Sequence, residues 1–308
     1  MKYQEKLLAL SQDNSDILVM TAENRAPLRE IIPDLGERFI DTGITEQTLV
    51  GMAAGLALRG RIPVVHGLAS FLTMRAFEFI RTDIGIPHLP VKLVGFIPGL
   101  LSEANGPTHQ ALEDIGLMLQ IPGMRVFSPA THEELVSELE NIIFDPHPWY
   151  IRYTQREHGE AFPFIGKEKI RSWGQANKVM LLTHGTLFTE AYQTQKLLEL
   201  LGLEVALLHV PYLSPLPEKA LLNSIEGSEH LVVIEDHFKR GGLTSLISEC
   251  LISHRSQAKL HSFCFEAKWF RTGLLPEVLE TEGFTPEKLA HRIQEALALH
   301  KNLKGTTV

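Results

Sequence analysis

Apolar residues arrive along this chain in short compact runs, separated by longer stretches in which they recur at helical spacing. Residues 17–21, 63–66, 91–97, 125–127 and 149–153 are such runs, bounded by polar or turn residues, and they predict buried strands. Between them, residues 46–58, a stretch around 74–83, and residues 131–144 predict helices. The last opens on Thr131 with Glu134 three residues on, a capping box. The rhythm resumes later, with strands at 179–183, 204–209 and 231–235 and helices at 186–201 and 243–251. Strands alternating with helices throughout predict parallel α/β architecture. Residues 1–13 predict a short amphipathic helix, and Pro211-Tyr212-Leu213-Ser214-Pro215-Leu216-Pro217 a stiff connection. Residues 156–175 break the alternation with charge, Pro163 and Gly166, so a surface linker is expected there, between domains at 1–155 and 176–308.

Composition narrows the function classes. Of 308 residues, 44% are hydrophobic, enough for two packed cores. A net charge of -8 without a basic stripe speaks against nucleic acid or an anionic membrane surface as the main partner. No run of about 18 apolar residues is present, so no transmembrane helix is expected. Cys250 and Cys264 make neither a disulfide framework nor a zinc pattern, and the start lacks a signal peptide; a cytoplasmic protein is expected.

Two segments carry candidate chemistry. Asp41-Thr42-Gly43-Ile44-Thr45-Glu46-Gln47 opens the small-residue helix, placing a carboxylate where amide dipoles favour negative charge. Further on, Gly106-Pro107-Thr108-His109-Gln110 follows a predicted strand, and α/β sheets bind ligands beyond strand ends. In this order and spacing, with Ser70-Phe71-Leu72 and Arg75-Ala76-Phe77 between them and Phe127-Ser128-Pro129-Ala130 after, the segments resemble the transketolase family. The resemblance covers most of residues 15–155 and, more loosely, the remainder. It implies a doubly wound pyrimidine-binding domain followed by a second α/β domain, the transketolase C-terminal domain.

The family resemblance also implies thiamine diphosphate as cofactor and transfer of a two-carbon ketol unit from a ketose to an aldehyde. Glu46 would hydrogen-bond the pyrimidine N1′, Phe71, Met74 and Phe77 would wall the ring, and His109 would meet the donor sugar. The family anchors the diphosphate and its divalent metal on a Gly-Asp-Gly segment, which this sequence lacks, and the chain opens just ahead of the pyrimidine-type segment. A split enzyme is therefore expected, with an N-terminal subunit holding the diphosphate and Mg2+ or Ca2+ in an α2β2 assembly.

Departures from the family pattern bear on the substrate. Asn105 stands where Asp is usual before Gly-Pro-Thr-His, Ile97 falls near a phosphate-contacting position, and the expected phosphate-binding arginine falls near Gln155 or Arg156. Asn105 and Arg156 join His109 as candidate substrate residues, and the substrate is expected to be no standard pentose phosphate, or to have its phosphate held by the partner. His66, His184, His209 and His237 have weaker claims to function. Alternative readings are a decarboxylating deoxyxylulose-phosphate-synthase-like enzyme, the β subunit of a 2-oxoacid dehydrogenase, or a non-catalytic subunit.

Overall fold

The short apolar runs assemble into two sheets. The computed structural model describes residues 1–154, 156, 169–175 and 178–304. In the first half lie β1 (Ile17–Thr21), β2 (Phe39–Asp41), β3 (Ile62–Leu68), β4 (Lys92–Phe96), β5 (Arg125–Phe127) and β6 (Trp149–Tyr153). The second half contributes β7 (Arg171–Trp173), β8 (Val179–Thr183), β9 (Val205–His209), β10 (Tyr212–Ser214), β11 (His230–Phe238) and β12 (Lys259–Phe265). The first sheet has the order β10-β5-β6-β4-β3-β1-β2 and the second β12-β11-β8-β9-β7. All neighbours are parallel except the edges β10 and β7, which run antiparallel to β5 and β9. The connection expected at 211–217 thus carries a strand that completes the first sheet. Within the stretch expected as a linker, Arg171–Trp173 forms a sheet edge, while Gln155 and residues 157–168 lie outside the described residues.

The apolar runs are continuous because both faces of each parallel strand are covered. Alternate residues of one strand enter different cores. Val64, Val94 and Ile151 face a cluster with Leu7, Leu10, Leu135 and Leu139. Their neighbours Val65, Leu93 and Tyr150 face a middle cluster that continues through Ile115 and Val126 to Met180, Leu182, Val233 and Ile247 of the second sheet. Leu181, Leu207, Val232 and Ile234 point away into a third cluster with Phe188, Leu289 and Ile293. The middle cluster joins the two halves.

Two local expectations differ from the structure. The stretch around 74–83 is no regular α-helix: wide π-type turns span Phe71–Arg75 and Ile80–Gly85, with a break at Ala76 and one short turn, Phe77–Phe79, between them. At the His132–Ile143 helix, the Thr131 hydroxyl accepts from Glu134 N at 3.2 Å, as a capping box requires. The reciprocal arm differs, because Glu134 Oε2 accepts from Ala130 N at 2.7 Å. Glu134 also receives Arg171 NH1 at 2.7 Å and lies 2.8 Å from His209 Nε2, both in the second half.

That bridge is one of several across the seam. Arg152 of β6, 1% exposed, donates from Nε to Asp114 Oδ2 at 2.8 Å and from NH1 to Asp236 Oδ1 at 2.7 Å, joining the first sheet to β11. Tyr150 adds its hydroxyl to Asp114 at 2.6 Å. The Tyr150 ring can lie there because position 95 is glycine; a Cβ on Gly95 would stand 2.6 Å from the phenol oxygen. Burial pushes the Asp236 carboxyl up, but the adjacent Arg152 guanidinium outweighs it and holds Asp236 below the usual carboxylate range. His184 Nδ1 lies 2.9 Å from Ser128 Oγ. His237 Nε2 accepts from Gly116 N while Nδ1 lies 2.7 Å from Phe238 O, which fixes a neutral tautomer. His66, fully buried, lies 2.7 Å from the Tyr3 hydroxyl; desolvation lowers its pKa to about 4. All four histidines with weaker claims are committed to packing or to the seam.

Candidate active site

The chain runs from β1 to β2 on one side, then returns past β1 to β3 on the other. Such a reversal leaves a crevice beyond the carboxyl ends of the strands, where α/β sheets bind ligands. Glu46 follows β2, Phe71 follows β3 and His109 follows β4, so three loops bring these side chains to one edge of the sheet.

The loop before Glu46 is built to be rigid. Asp41 Oδ1 accepts from Glu23 N at 3.0 Å and Gly43 N at 2.9 Å, while Oδ2 pairs with Arg25 Nε at 2.5 Å. Burial raises the Asp41 carboxyl, but the hydrogen bond from Gly43 and the contact with Arg25 outweigh it, and its pKa falls below the usual range. The Thr45 hydroxyl donates to Thr42 O, closing the turn ahead of the Glu46–Leu58 helix. Glu46 is the first helical residue and only 3% exposed. A buried carboxylate requires compensation, which the helix N-terminus supplies in part. Arg75 supplies the rest, donating from NH1 to Glu46 Oε2 at 2.8 Å.

The Arg75 guanidinium carbon also lies 4.3 Å from the centre of the Phe71 ring. That ring in turn meets His109, at 4.7 Å between centroids and 62° between planes. Glu46, Arg75, Phe71 and His109 therefore form one contiguous group. His109 is partly exposed, with Nδ1 2.8 Å from the Thr108 hydroxyl. Its loop turns at Gly106, where φ is +70° and a Cβ would stand 2.8 Å from the Thr272 methyl group. The second half reaches this loop again where Glu103 Oε1 accepts from Leu275 N at 3.1 Å.

Among the described residues, the remaining candidates, Met74, Phe77, Asn105 and Arg156, make no side-chain hydrogen bond, ion pair or ring contact with this group. The wide turns break the helical spacing that would have aligned Phe71, Met74 and Phe77: Met74 is 37% exposed, and Phe77 packs against the middle core. Asn105 is exposed on the His109 loop, its amide donating to Ser102 O at 3.2 Å. Arg156 is paired through both terminal nitrogens with Glu190, at 2.8 and 2.5 Å, and also donates to Thr186 O. Its guanidinium is thus taken up within the chain. Arg75 was not singled out by the sequence; its place four residues after an aromatic was the available signal. Among the described residues, no group of three or more His, Cys, Asp or Glu side chains is placed to hold a metal ion, and no helix is long and apolar enough to cross a membrane.

Comparison with known proteins agrees with the two-domain fold. Residues 1–159 match the model of the transketolase pyrimidine binding domain, and residues 166–289 that of the transketolase C-terminal domain. A putative transketolase C-terminal section from Methanocaldococcus jannaschii is 29% identical, over 96% of this chain and 95% of that protein. A 6-deoxy-6-sulfo-D-fructose transketolase subunit from Clostridium sp. is also 29% identical, over 95% of this chain and 93% of that protein. Among solved structures, a split gene transketolase described as an inactive β4 tetramer superposes with a TM-score of 0.85 at 30% identity, covering 96% of this chain and 97% of that one. The chain belongs to the transketolase family and corresponds to its C-terminal half, of the kind found elsewhere as a separate subunit.

Proposed function

We propose that this chain is the C-terminal subunit of a split, thiamine diphosphate-dependent transketolase that moves a two-carbon ketol unit from a ketose to an aldehyde. The observation that carries the reading is Glu46, a nearly fully buried carboxylate at a helix start, grouped with Phe71 and His109 beyond the strand ends. These residues fit the aminopyrimidine end of the cofactor: an acceptor for a ring N–H and an aromatic face to support the ring. When bound, thiamine diphosphate supplies the stabilised carbanion that cleavage of a carbon–carbon bond beside a carbonyl requires. Glu46 would accept the hydrogen bond at N1′ and hold the proton there, and Phe71 would orient the ring. His109 would hydrogen-bond the sugar near its carbonyl and move a proton, with Asn105 on the same loop meeting sugar hydroxyls.

The diphosphate and its Mg2+ or Ca2+ fall to a companion chain in an α2β2 assembly. The absence of Gly-Asp-Gly from this sequence supports that division, as does similarity over nearly full length to proteins described as a section or a subunit. The reading places a pyrimidine-binding unit at 1–155, a linker at 156–175 and a C-terminal unit at 176–308; family matches at 1–159 and 166–289 support two units in that order, with Arg171–Trp173 already part of the second sheet. The engagement of Arg156 by Glu190 and the apolar Ile97 support a substrate other than a standard pentose phosphate, or one whose anion the companion holds.

Mixing the chain with a companion carrying Gly-Asp-Gly, thiamine diphosphate and Mg2+, then assaying a panel of ketoses and aldehydes, tests the reading. The expected outcome is two-carbon transfer that requires both chains. Strong preference for xylulose 5-phosphate with ribose 5-phosphate counts against the substrate assignment. Carbon dioxide release from pyruvate instead would favour a decarboxylating synthase or a 2-oxoacid dehydrogenase β subunit. Unchanged activity in Glu46→Ala would leave the chain a non-catalytic role.

A further inference from the structure

Arg75 occupies both contacts that the proposed function gives to the aminopyrimidine. Its NH1 donates to Glu46 Oε2, and its guanidinium lies over the face of Phe71. A guanidinium is flat, delocalised and rich in N–H donors, so against a carboxylate and over an aromatic ring it makes the same two kinds of contact as a protonated aminopyrimidine. The ring cannot lie on that face of Phe71 while the guanidinium does, nor share the same carboxylate oxygen in the same direction. Resting on the function proposed above, we infer that Arg75 is a stand-in for the cofactor ring, closing the seat in the unloaded chain and swinging away as the ring enters.

The burial pattern fits a movable stand-in. Glu46, at 3% exposure, needs a partner in either state, because an uncompensated buried carboxylate is costly. The Arg75 side chain keeps 40% of its surface in solvent and, among the described residues, has no side-chain partner beyond Glu46 and Phe71. It can therefore turn into water without breaking a further contact. It also ends the wide turn Phe71–Arg75, just ahead of the break at Ala76, and not a regular helical segment. The consequence is a tax on cofactor binding: apparent affinity is reduced by the fraction of chains in which the seat is open.

The test is a calorimetric titration of thiamine diphosphate, with Mg2+, into the reconstituted pair carrying wild-type chain, Arg75→Met or Arg75→Lys. Arg75→Met should bind about 5- to 30-fold more tightly, because the closed state is lost. Arg75→Lys should fall between, since it keeps the charge without the planar fork, and it still reads the effect if the methionine variant fails to fold. The isolated Arg75→Met chain should likewise bind thiamine more tightly than the isolated wild-type chain. Equal or weaker binding by both variants overturns the stand-in. Glu46→Gln separates this failure from a failure of the underlying reading. If Glu46→Gln abolishes transfer while the Arg75 variants bind like wild type, the stand-in is wrong and the reading survives. If Glu46→Gln transfers normally, both are wrong.

Discussion

Two of the arginine–carboxylate pairings in this chain, one at the seam and one at the crevice, differ in what surrounds them. At the seam, Arg152 is 1% exposed and held by Asp114 and Asp236, which are 0% and 3% exposed, with Tyr150 completing the group. At the crevice, Arg75 meets Glu46 through one hydrogen bond and keeps 40% of its side chain in water. Every charge at the seam has a fixed partner from another element, so the group specifies how the halves fit. At the crevice one partner is fixed and the other is free to leave. The same chemistry thus makes a joint in one place and an exchangeable contact in the other.

Substitutions should separate the two by what they damage. Glu46→Gln should lower transfer by the reconstituted pair by about 10²- to 10⁴-fold, the usual worth of a positioned proton carrier, with little change in the urea midpoint of the isolated chain. Arg152→Met should do the reverse, removing about 3–5 kcal/mol of stability in urea unfolding because two buried carboxylates lose their partner. An Arg152→Met chain as stable as wild type would break the comparison. Acid should act through a third buried group, His66, whose pKa is about 4 in the folded chain. An unfolded histidine titrates near 6.5, so between these values only the unfolded chain binds the proton. Stability present above pH 6.5 is therefore lost as pH falls, by about 2–3 kcal/mol at pH 4, and His66→Gln should flatten that slope. Gly106→Ala should cost about 1–2 kcal/mol, since a Cβ meets both a positive φ and the Thr272 methyl group. Arg75→Met should cost about 1–2 kcal/mol, less than Arg152→Met, because Glu46 is buried but keeps the compensation of its helix N-terminus.

Much of this arrangement is legible in the amino-acid order, and the physical reason is burial. Strands covered on both faces are apolar nearly throughout, so β1 and β8 stand out as runs with the bounds expected from sequence, and β5 and β6 do so despite Arg125 and Arg152. The edge strands β7 and β10 are three residues long and half in solvent, and such segments carry no pattern that distinguishes them from a connection. β12 mixes Lys259, His261 and Ser262 with Phe263 and Phe265 because most of it is only partly buried. At the crevice, Glu46, Phe71 and His109 could be found because their neighbours form recognisable segments. Arg75 could not be assigned a partner, since Glu46 lies 29 residues away. The seam is harder still: Asp236 and Arg152 are separated by 84 residues, and only the fold brings them together.

Strand β10 has a consequence for how the polypeptide could be divided. It belongs to the later half by order yet lies along β5 in the earlier half's sheet. A fragment ending near residue 155 would therefore expose the bare margin of β5, an invitation to pair with other chains. Severing the backbone between β9 and Tyr212 would leave the pieces clasped through β10, whereas discarding the later piece would strip the earlier one of its outermost strand.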